Sequence, residues 1–152
     1  MVAVRIVDQP GTGLGLVTEV ARREGDVVAT ICGPEYRSHP TRTSIQIAAD
    51  RHIDGLQVVA YLNHSCDPGT YVDVKSLTVI AARDLVPGDA LTFFYPSTEW
   101  AMACPFVCAC ASDECLGRIH GAHRVPTAVL SRHRLSTHIR ELVTVRDAAA
   151  AR

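Results

Sequence analysis

Tyr61-Leu62-Asn63-His64-Ser65-Cys66-Asp67-Pro68 carries the chain out of an apolar segment, residues 56–62, and toward an alternating one that starts at Tyr71. It places an amide, an imidazole, a hydroxyl, a thiol and a carboxylate in consecutive positions. Downstream lies Cys108-x-Cys110-x-x-x-x-Cys115. Cys108 and Cys110 are too close for an easy disulfide with each other, but both can face one metal ion. Zinc takes four ligands in a tetrahedral array and favours thiolates at structural sites. Cys115 supplies a third ligand, and spacing leaves the fourth open. Cys104 is nearest in sequence, and Cys66 is the lone thiol of the polar run. Four thiolates leave no open position for chemistry, so such a zinc would be structural. Cys32 reads as a buried free thiol.

At 152 residues the chain is most simply one domain, large enough to bury its own core. Its 47% hydrophobic and 20% charged content is that of a globular chain, and no apolar run is long enough to span a bilayer. Residues 1–7 carry Arg5 and no long apolar stretch, so no signal peptide is expected. The expected compartment is a reducing cytoplasm, where cysteines serve as thiolate ligands and free thiols. Residues 1–117 hold 8 Lys/Arg against 14 Asp/Glu, a balance of −6; residues 118–152 hold 7 Arg against 2 acids, a balance of +5. The acidic majority favours a basic peptide partner over nucleic acid. No membrane contact is expected either, and monomer and homodimer both stay open.

The local pattern is mainly β with few helices. Val2, Val4 and Ile6 alternate as in a short strand. Residues 11–17 read as a glycine-rich turn into a second strand, and 26–31 as a third, ended by Gly33-Pro34. Residues 34–43 read as a loop, Ile45 and Ile47 as a strand, and 51–54 as another. Residues 56–62 suit a single helical turn. Residues 71–74 and 77–82 suit a hairpin around Lys75-Ser76, although that turn lacks glycine. Pro87-Gly88 signals a turn before a final strand over 90–95. The cysteine-rich stretch 100–121 reads as irregular. Leu135, Ile139, Leu142 and Val143 have helical spacing, with Ser136 or Thr137 as N-cap.

Over residues 3–121 the chain resembles the SET domain of protein-lysine methyltransferases, with the small zinc-binding tail called post-SET. Asn63-His64-Ser65-Cys66 resembles the family's central motif, whose backbone and amide hold the amino-acid end and adenine of S-adenosylmethionine. Gly13-Leu14-Gly15-Leu16 resembles its first motif, where backbone groups meet the same cofactor. No strand-turn-helix unit follows these glycines, so they do not form a dinucleotide fingerprint. Gly88-Asp89-Ala90-Leu91-Thr92-Phe93-Phe94-Tyr95 resembles the closing motif, which ends in the active-site tyrosine, here Tyr95. The aromatic wall of the acceptor channel then falls on Phe93. Leu116-Gly117-Arg118-Ile119 also resembles the family, and Phe106 and Ile119 fall at cofactor-side positions. The resemblance assigns one zinc to Cys66, Cys108, Cys110 and Cys115.

It further implies a β-clip of short sheets with a threaded pseudoknot. The catalytic core would be 1–103, the zinc segment 104–121, and 122–152 an extension ending in a short C-terminal helix. The overall size resembles the compact bacterial and viral members. Three departures stand out. The family's substrate-side tyrosine after the third strand is Ile31 here, in Thr30-Ile31-Cys32-Gly33-Pro34. The asparagine that often follows Cys-x-Pro is Gly69. The insert between Gly33 and Leu56 is much shorter than in the large histone enzymes.

The resemblance implies methyl transfer to the ε-amine of a lysine in a basic protein or peptide. A sulfonium methyl is already activated, so such an enzyme mainly aligns a neutral amine with it. Free lysine has a pKa of about 10.4; a narrow apolar channel beside a cation disfavours its ammonium form. A tyrosine hydroxyl can orient the amine without being a strong base. The departures keep two alternatives in view: the same fold acting on a small amine or other metabolite, and a zinc-stapled interaction module without catalysis.

Overall fold

The computed structural model of the chain describes residues 3–152, so Val2 lies outside the described residues. The elements run β1 (Val4–Gln9), β2 (Gly13–Thr18), β3 (Val27–Thr30), β4 (Glu35–Arg37), β5 (Ile45–Ala48) and β6 (Arg51–Asp54). A 3-10 turn over Gln57–Tyr61 leads to β7 (Asn63–His64), β8 (Thr70–Asp73), β9 (Thr78–Ala81) and β10 (Ala90–Phe93). A second 3-10 turn (Tyr95–Ser97) precedes β11 (Phe106–Val107) and β12 (Arg118–Ile119). Two α-helices close the chain, α1 (Thr127–Leu130) and α2 (Thr137–Ala150).

Among the described residues four small sheets result, ordered β1-β2-β10-β7, β3-β9-β8, β4-β6-β5 and β11-β12. Among the described residues every strand pair but one is antiparallel, and half of the pairs join consecutive strands. The parallel pair positions the site: β10 pairs with β2 on one side and runs parallel to β7 on the other, with Thr92 opposite Asn63 and Phe93 opposite His64. Parallel neighbours cannot be joined by a tight turn. The hairpin β8–β9 fills the interval, and its strand β9 reaches across to pair with β3. This crossing of the central and closing motifs is the pseudoknot of the expected fold.

The β8–β9 turn works without glycine because Asp73 Oδ1 accepts from the N–H groups of Lys75 (2.9 Å) and Ser76 (3.5 Å), and Leu77 takes the left-handed conformation at φ 54°. Bonding of an aspartate to the backbone two residues on is what stabilises such turns.

Two apolar clusters form the core. One lies among the sheets around Leu16, Val28, Ile31, Ile53, Val59, Val79, Leu91 and Phe93. The other joins Phe94 to the C-terminal extension through Ala122, Val125, Leu130, Ile139 and Val143. Helix α2 buries His138, Ile139 and Val143. Its N-cap, Ser136, does not bond the helix end; its Oγ donates to the Ser97 carbonyl at 2.8 Å, which docks the start of the helix on the core.

Four local expectations are corrected. Residues 34–43 are not all loop, since Glu35–Arg37 form β4, an edge strand with all three residues exposed. The strand from Ala90 stops at Phe93, and it is not the last, because β11 and β12 pair inside the cysteine-rich stretch. α1 was not expected. Cys32 is exposed, because it stands just past the end of β3, beyond the buried Ile31.

Candidate active site and metal centre

The crossing of β7 and β10 brings Asn63, His64, Phe93 and Tyr95 together from segments about thirty positions apart. The Ser65 N–H donates to the Phe93 carbonyl at 3.1 Å and locks the register. Beyond Phe93 the chain turns sharply, with Pro96 in the turn. There the Tyr95 N–H donates to His64 Nδ1 at 3.1 Å, and the Tyr95 hydroxyl donates to the Leu62 carbonyl at 2.6 Å. Two oxygens, a phenol and a carbonyl, thus sit side by side next to an aromatic group. The Tyr95 ring lies 4.7 Å from Phe93, 5.3 Å from His64 and 5.8 Å from Phe106, centre to centre.

Burial, with the Glu99 carboxyl adding to it, pushes the Tyr95 phenol up to about 12. It stays neutral at ordinary pH and cannot serve as a phenolate base; it can orient an amine by accepting its N–H. Burial, with His133 second, pulls His64 down to about 4. Its Nδ1 already accepts from a backbone N–H, so the ring proton sits on Nε2, 3.3 Å from Cys66 Sγ. One neutral imidazole therefore bridges the backbone of Tyr95 and the sulfur of Cys66.

Gly13, Leu14 and Gly15 reach the same place. They open β2, and Asn63 Nδ2 donates to the Leu14 carbonyl at 3.1 Å. Phe106 stands 5.7 Å from the His64 ring, half-buried, so the cysteine-rich segment contributes a wall beside β7 and β10. Ile119 is its partner in the β11–β12 pairing and is itself enclosed, 1% exposed.

The four expected sulfurs converge. Cys66, Cys108, Cys110 and Cys115 place their Sγ atoms within 4.8 Å of one another, while Cys104 is exposed and outside the cluster. Four thiolates around zinc at about 2.3 Å would stand about 3.8 Å apart. Backbone N–H groups already point at three of the sulfurs: Leu116 at Cys66 (3.4 Å), Cys110 at Cys108 (3.4 Å) and Gly117 at Cys115 (3.5 Å). Such N–H groups stabilise thiolates. Burial, reinforced by Cys110 and Cys115, pushes the Cys66 thiol up to about 11, and burial raises Cys108 as well. Burial also opposes ionisation of Cys110, but N–H groups and neighbouring thiols bring it down to about 7. Four crowded sulfurs resist joint ionisation unless a cation sits among them. Geometry and donor set both fit one zinc ion.

Two departures from the family pattern have structural counterparts. Ile31 is buried in the sheet core and brings no hydroxyl. Gly69 is enclosed: a Cβ there would meet the Ala90 carbonyl and Leu85, each at 3.3 Å, so an asparagine would need its neighbours to move.

Sequence reading missed Glu99 and the Phe94–His133 pair. Phe94 stacks on His133 with centres 3.7 Å apart and planes 9° from parallel, tying the extension to the end of β10. Glu99 is 6% exposed, and its Oε1 accepts from the Gln46 N–H (2.7 Å) and the Thr98 hydroxyl (3.0 Å). Nothing local in the sequence marks either. Burial pushes the Glu99 carboxyl from 4.5 up to about 7 despite those bonds. A carboxyl raised on folding adds stability below its unfolded pKa, and that stability is lost as pH rises through the folded one. From pH 4.5 to 7 Glu99 should therefore cost on the order of 3 kcal/mol of stability. Glu99→Gln keeps both acceptor bonds and cannot ionise, so its melting temperature should change less than that of the wild type between pH 5 and 8. Parallel melting curves for the two proteins over that range would contradict this.

Comparison with known proteins agrees with the geometry. The family model of the SET domain matches residues 13–96. A protein of Aspergillus flavus named methyltransferase flvH is 42% identical over 113 residues, 73% of this chain. This chain spans 64% of the length of that relative. A putative histone-lysine N-methyltransferase 1 of Plasmodium falciparum is 27% identical over 70 residues, 41% of this chain and 1% of that protein. Among solved structures, KRYPTONITE in complex with mCHG DNA and SAH superposes with a TM-score of 0.64 at 19% identity, over 76% of this chain and 28% of that one. The methyltransferase domain of human histone-lysine N-methyltransferase SETMAR gives 0.63 at 18% identity, over 78% and 58%. The family match takes in the glycine turn, both crossing motifs and more than half of the residues. This chain belongs to the SET-domain family.

Proposed function

We propose that the chain transfers a methyl group from S-adenosylmethionine to an amine, with the ε-amine of a lysine in a basic protein or peptide as acceptor. The observation that carries this reading is the paired Tyr95 hydroxyl and Leu62 carbonyl, 2.6 Å apart, at the crossing that also holds Asn63 and His64. When bound, S-adenosylmethionine supplies an activated methyl on a sulfonium. The residues do the rest. Asn63, Leu14 and the glycine turn would hold the cofactor's amino-acid end, and Phe106 and His64 would flank it. The Tyr95 oxygen would accept an N–H of the incoming amine and aim its lone pair. Phe93, Tyr95 and Phe106 exclude water, which favours the neutral amine over the ammonium. The proton lost from the product amine leaves to solvent, since no side chain here is poised as a base.

Two observations support a lysine acceptor. SETMAR is named a histone-lysine methyltransferase, and KRYPTONITE has been solved with an H3(1-15) peptide and SAH. Residues 1–117 carry a balance of −6, suited to a basic partner. We also propose a cytoplasmic setting, which accords with six cysteines outside any disulfide, four of them clustered. A second reading, a small amine or metabolite as acceptor, is favoured by Ile31, which leaves the channel without its usual second tyrosine. Labelling a proteome and a panel of free amines with methyl-labelled cofactor separates the two. Labelled protein supports the first, and labelled small amines alone overturn it.

Product number tests the role of Phe93. It is 4% exposed and packs against Tyr95. Phenylalanine leaves room at the wall for a second methyl, so the wild type should yield dimethylated or trimethylated amine. Phe93→Tyr adds a hydroxyl that can hold a water there, and mass spectrometry should show a shift toward monomethyl product. If Phe93 serves only the core, all products should fall in parallel with stability. Unaltered product ratios in a stable variant would remove it from the wall.

A further inference from the structure

Gln9 is the last residue of β1, opposite Gly13 in the register that opens the glycine turn. Its side chain is half-buried and reaches across the sheet to Asn63, 54 positions away, where Oε1 accepts from Asn63 Nδ2 at 2.9 Å. The same nitrogen faces the Leu14 carbonyl at 3.1 Å and the Thr12 hydroxyl at 3.3 Å. A primary amide nitrogen has two hydrogens; Gln9 and Leu14 are the nearer pair of acceptors. A backbone carbonyl can only accept, so the Leu14 oxygen fixes which end of the Asn63 amide is nitrogen. Asn63 Oδ1 is then turned away from this cage and has no hydrogen-bond partner among the described residues.

Gly15 belongs to the same arrangement. A Cβ at Gly15 would overlap the Gln9 carboxamide and stand 2.8 Å from Asn63 Nδ2. Its φ is not in the left-handed region, so no backbone requirement explains the glycine. The space beside Gly15 is taken by the Gln9–Asn63 bond.

We propose that Gln9 is a positioning residue for the cofactor: it holds the Asn63 amide with Oδ1 presented as an acceptor for an α-ammonium group. This rests on the reading that S-adenosylmethionine binds here. An acceptor oxygen with no protein partner suits a cationic amine and penalises a ligand that cannot donate there. Without Gln9 the amide loses one of two good acceptors and rotates more freely, at a cost to the cofactor complex. Because Gln9 acts through Asn63, its effect should vanish when Asn63 is absent.

The test is calorimetric titration of the zinc-loaded full chain with S-adenosylhomocysteine. The proteins are wild type, Gln9→Met, Gln9→Glu, Asn63→Ala and the Gln9→Met/Asn63→Ala double variant, each checked by melting. Gln9→Met, similar in shape and a far weaker acceptor, should weaken binding roughly five- to tenfold, the scale of one oriented hydrogen bond. Gln9→Glu keeps the acceptor and should stay within about twofold of wild type. Gln9→Met in the Asn63→Ala background should add nothing. Binding by the wild type with an unchanged or tighter Gln9→Met overturns the proposal alone, as does an equal loss in both backgrounds. No binding by the wild type overturns the cofactor reading, and the proposal with it.

Discussion

Tyr95→Phe should lower kcat by roughly 10²- to 10³-fold, the scale seen when one preorganised hydrogen-bonding group is removed from a reacting centre, while leaving cofactor affinity within about twofold. The variant keeps the ring and hence its packing on Phe93, His64 and Phe106. It loses the one oxygen that can meet the amine beside the Leu62 carbonyl. An interaction made mainly in the transition state appears in kcat rather than in ground-state binding. Since the phenol is pushed up to about 12, the wild-type rate should show no step from Tyr95 between pH 6 and 9. The Leu62 carbonyl also loses its donor, so a fall in stability of about 1–3 kcal/mol is expected alongside. Melting curves separate the two effects: a folded variant that turns over at the wild-type rate would remove Tyr95 from the chemistry.

The second large effect is on the metal. Cys66→Ser should reduce bound zinc from one equivalent toward none, and Cys104→Ser should leave it unchanged. Of the four clustered cysteines, Cys66 comes from the central motif and the other three come from the tail. Without it, nothing coordinates residues 104–121 to the core, and Phe106 loses its place beside His64. Structural zinc in small sites contributes roughly 10–16 kcal/mol of apparent binding free energy, so loss of a ligand should lower the melting temperature well beyond an ordinary point variant. Cofactor affinity should fall too, because the wall contributed by Phe106 goes with the metal. Acidification should release zinc as thiolates protonate. Retention of full zinc by Cys66→Ser, with loss in Cys104→Ser, would reassign the fourth ligand and break the link between tail and active site.

What could be read from the sequence follows from where the information lies. The polar run at residues 61–68 and the tight cysteine spacing are local patterns tied to chemistry, and both survive translation into geometry. The alternating strands β8 and β9 and the helical spacing of α2 were legible because each buries one face. β4 was not, because all its residues are exposed and carry no burial pattern. β11 and β12 are two residues each, too short for any period to show. The Gln9–Asn63 bond, the Phe94–His133 stack and the buried Glu99 join residues far apart in sequence or depend on tertiary enclosure. A glutamate, a histidine and a glutamine in such positions look like surface residues until the fold encloses them.

Methyl transfer by this chain requires that S-adenosylmethionine bind at the crossing of β7 and β10. Calorimetric titration of the purified, zinc-loaded chain with S-adenosylmethionine tests it most directly. Saturable binding at one site per chain is expected, weakened by Asn63→Ala and preserved in Tyr95→Phe. No heat of binding at millimolar ligand, from a protein that is folded and holds its zinc, would contradict it.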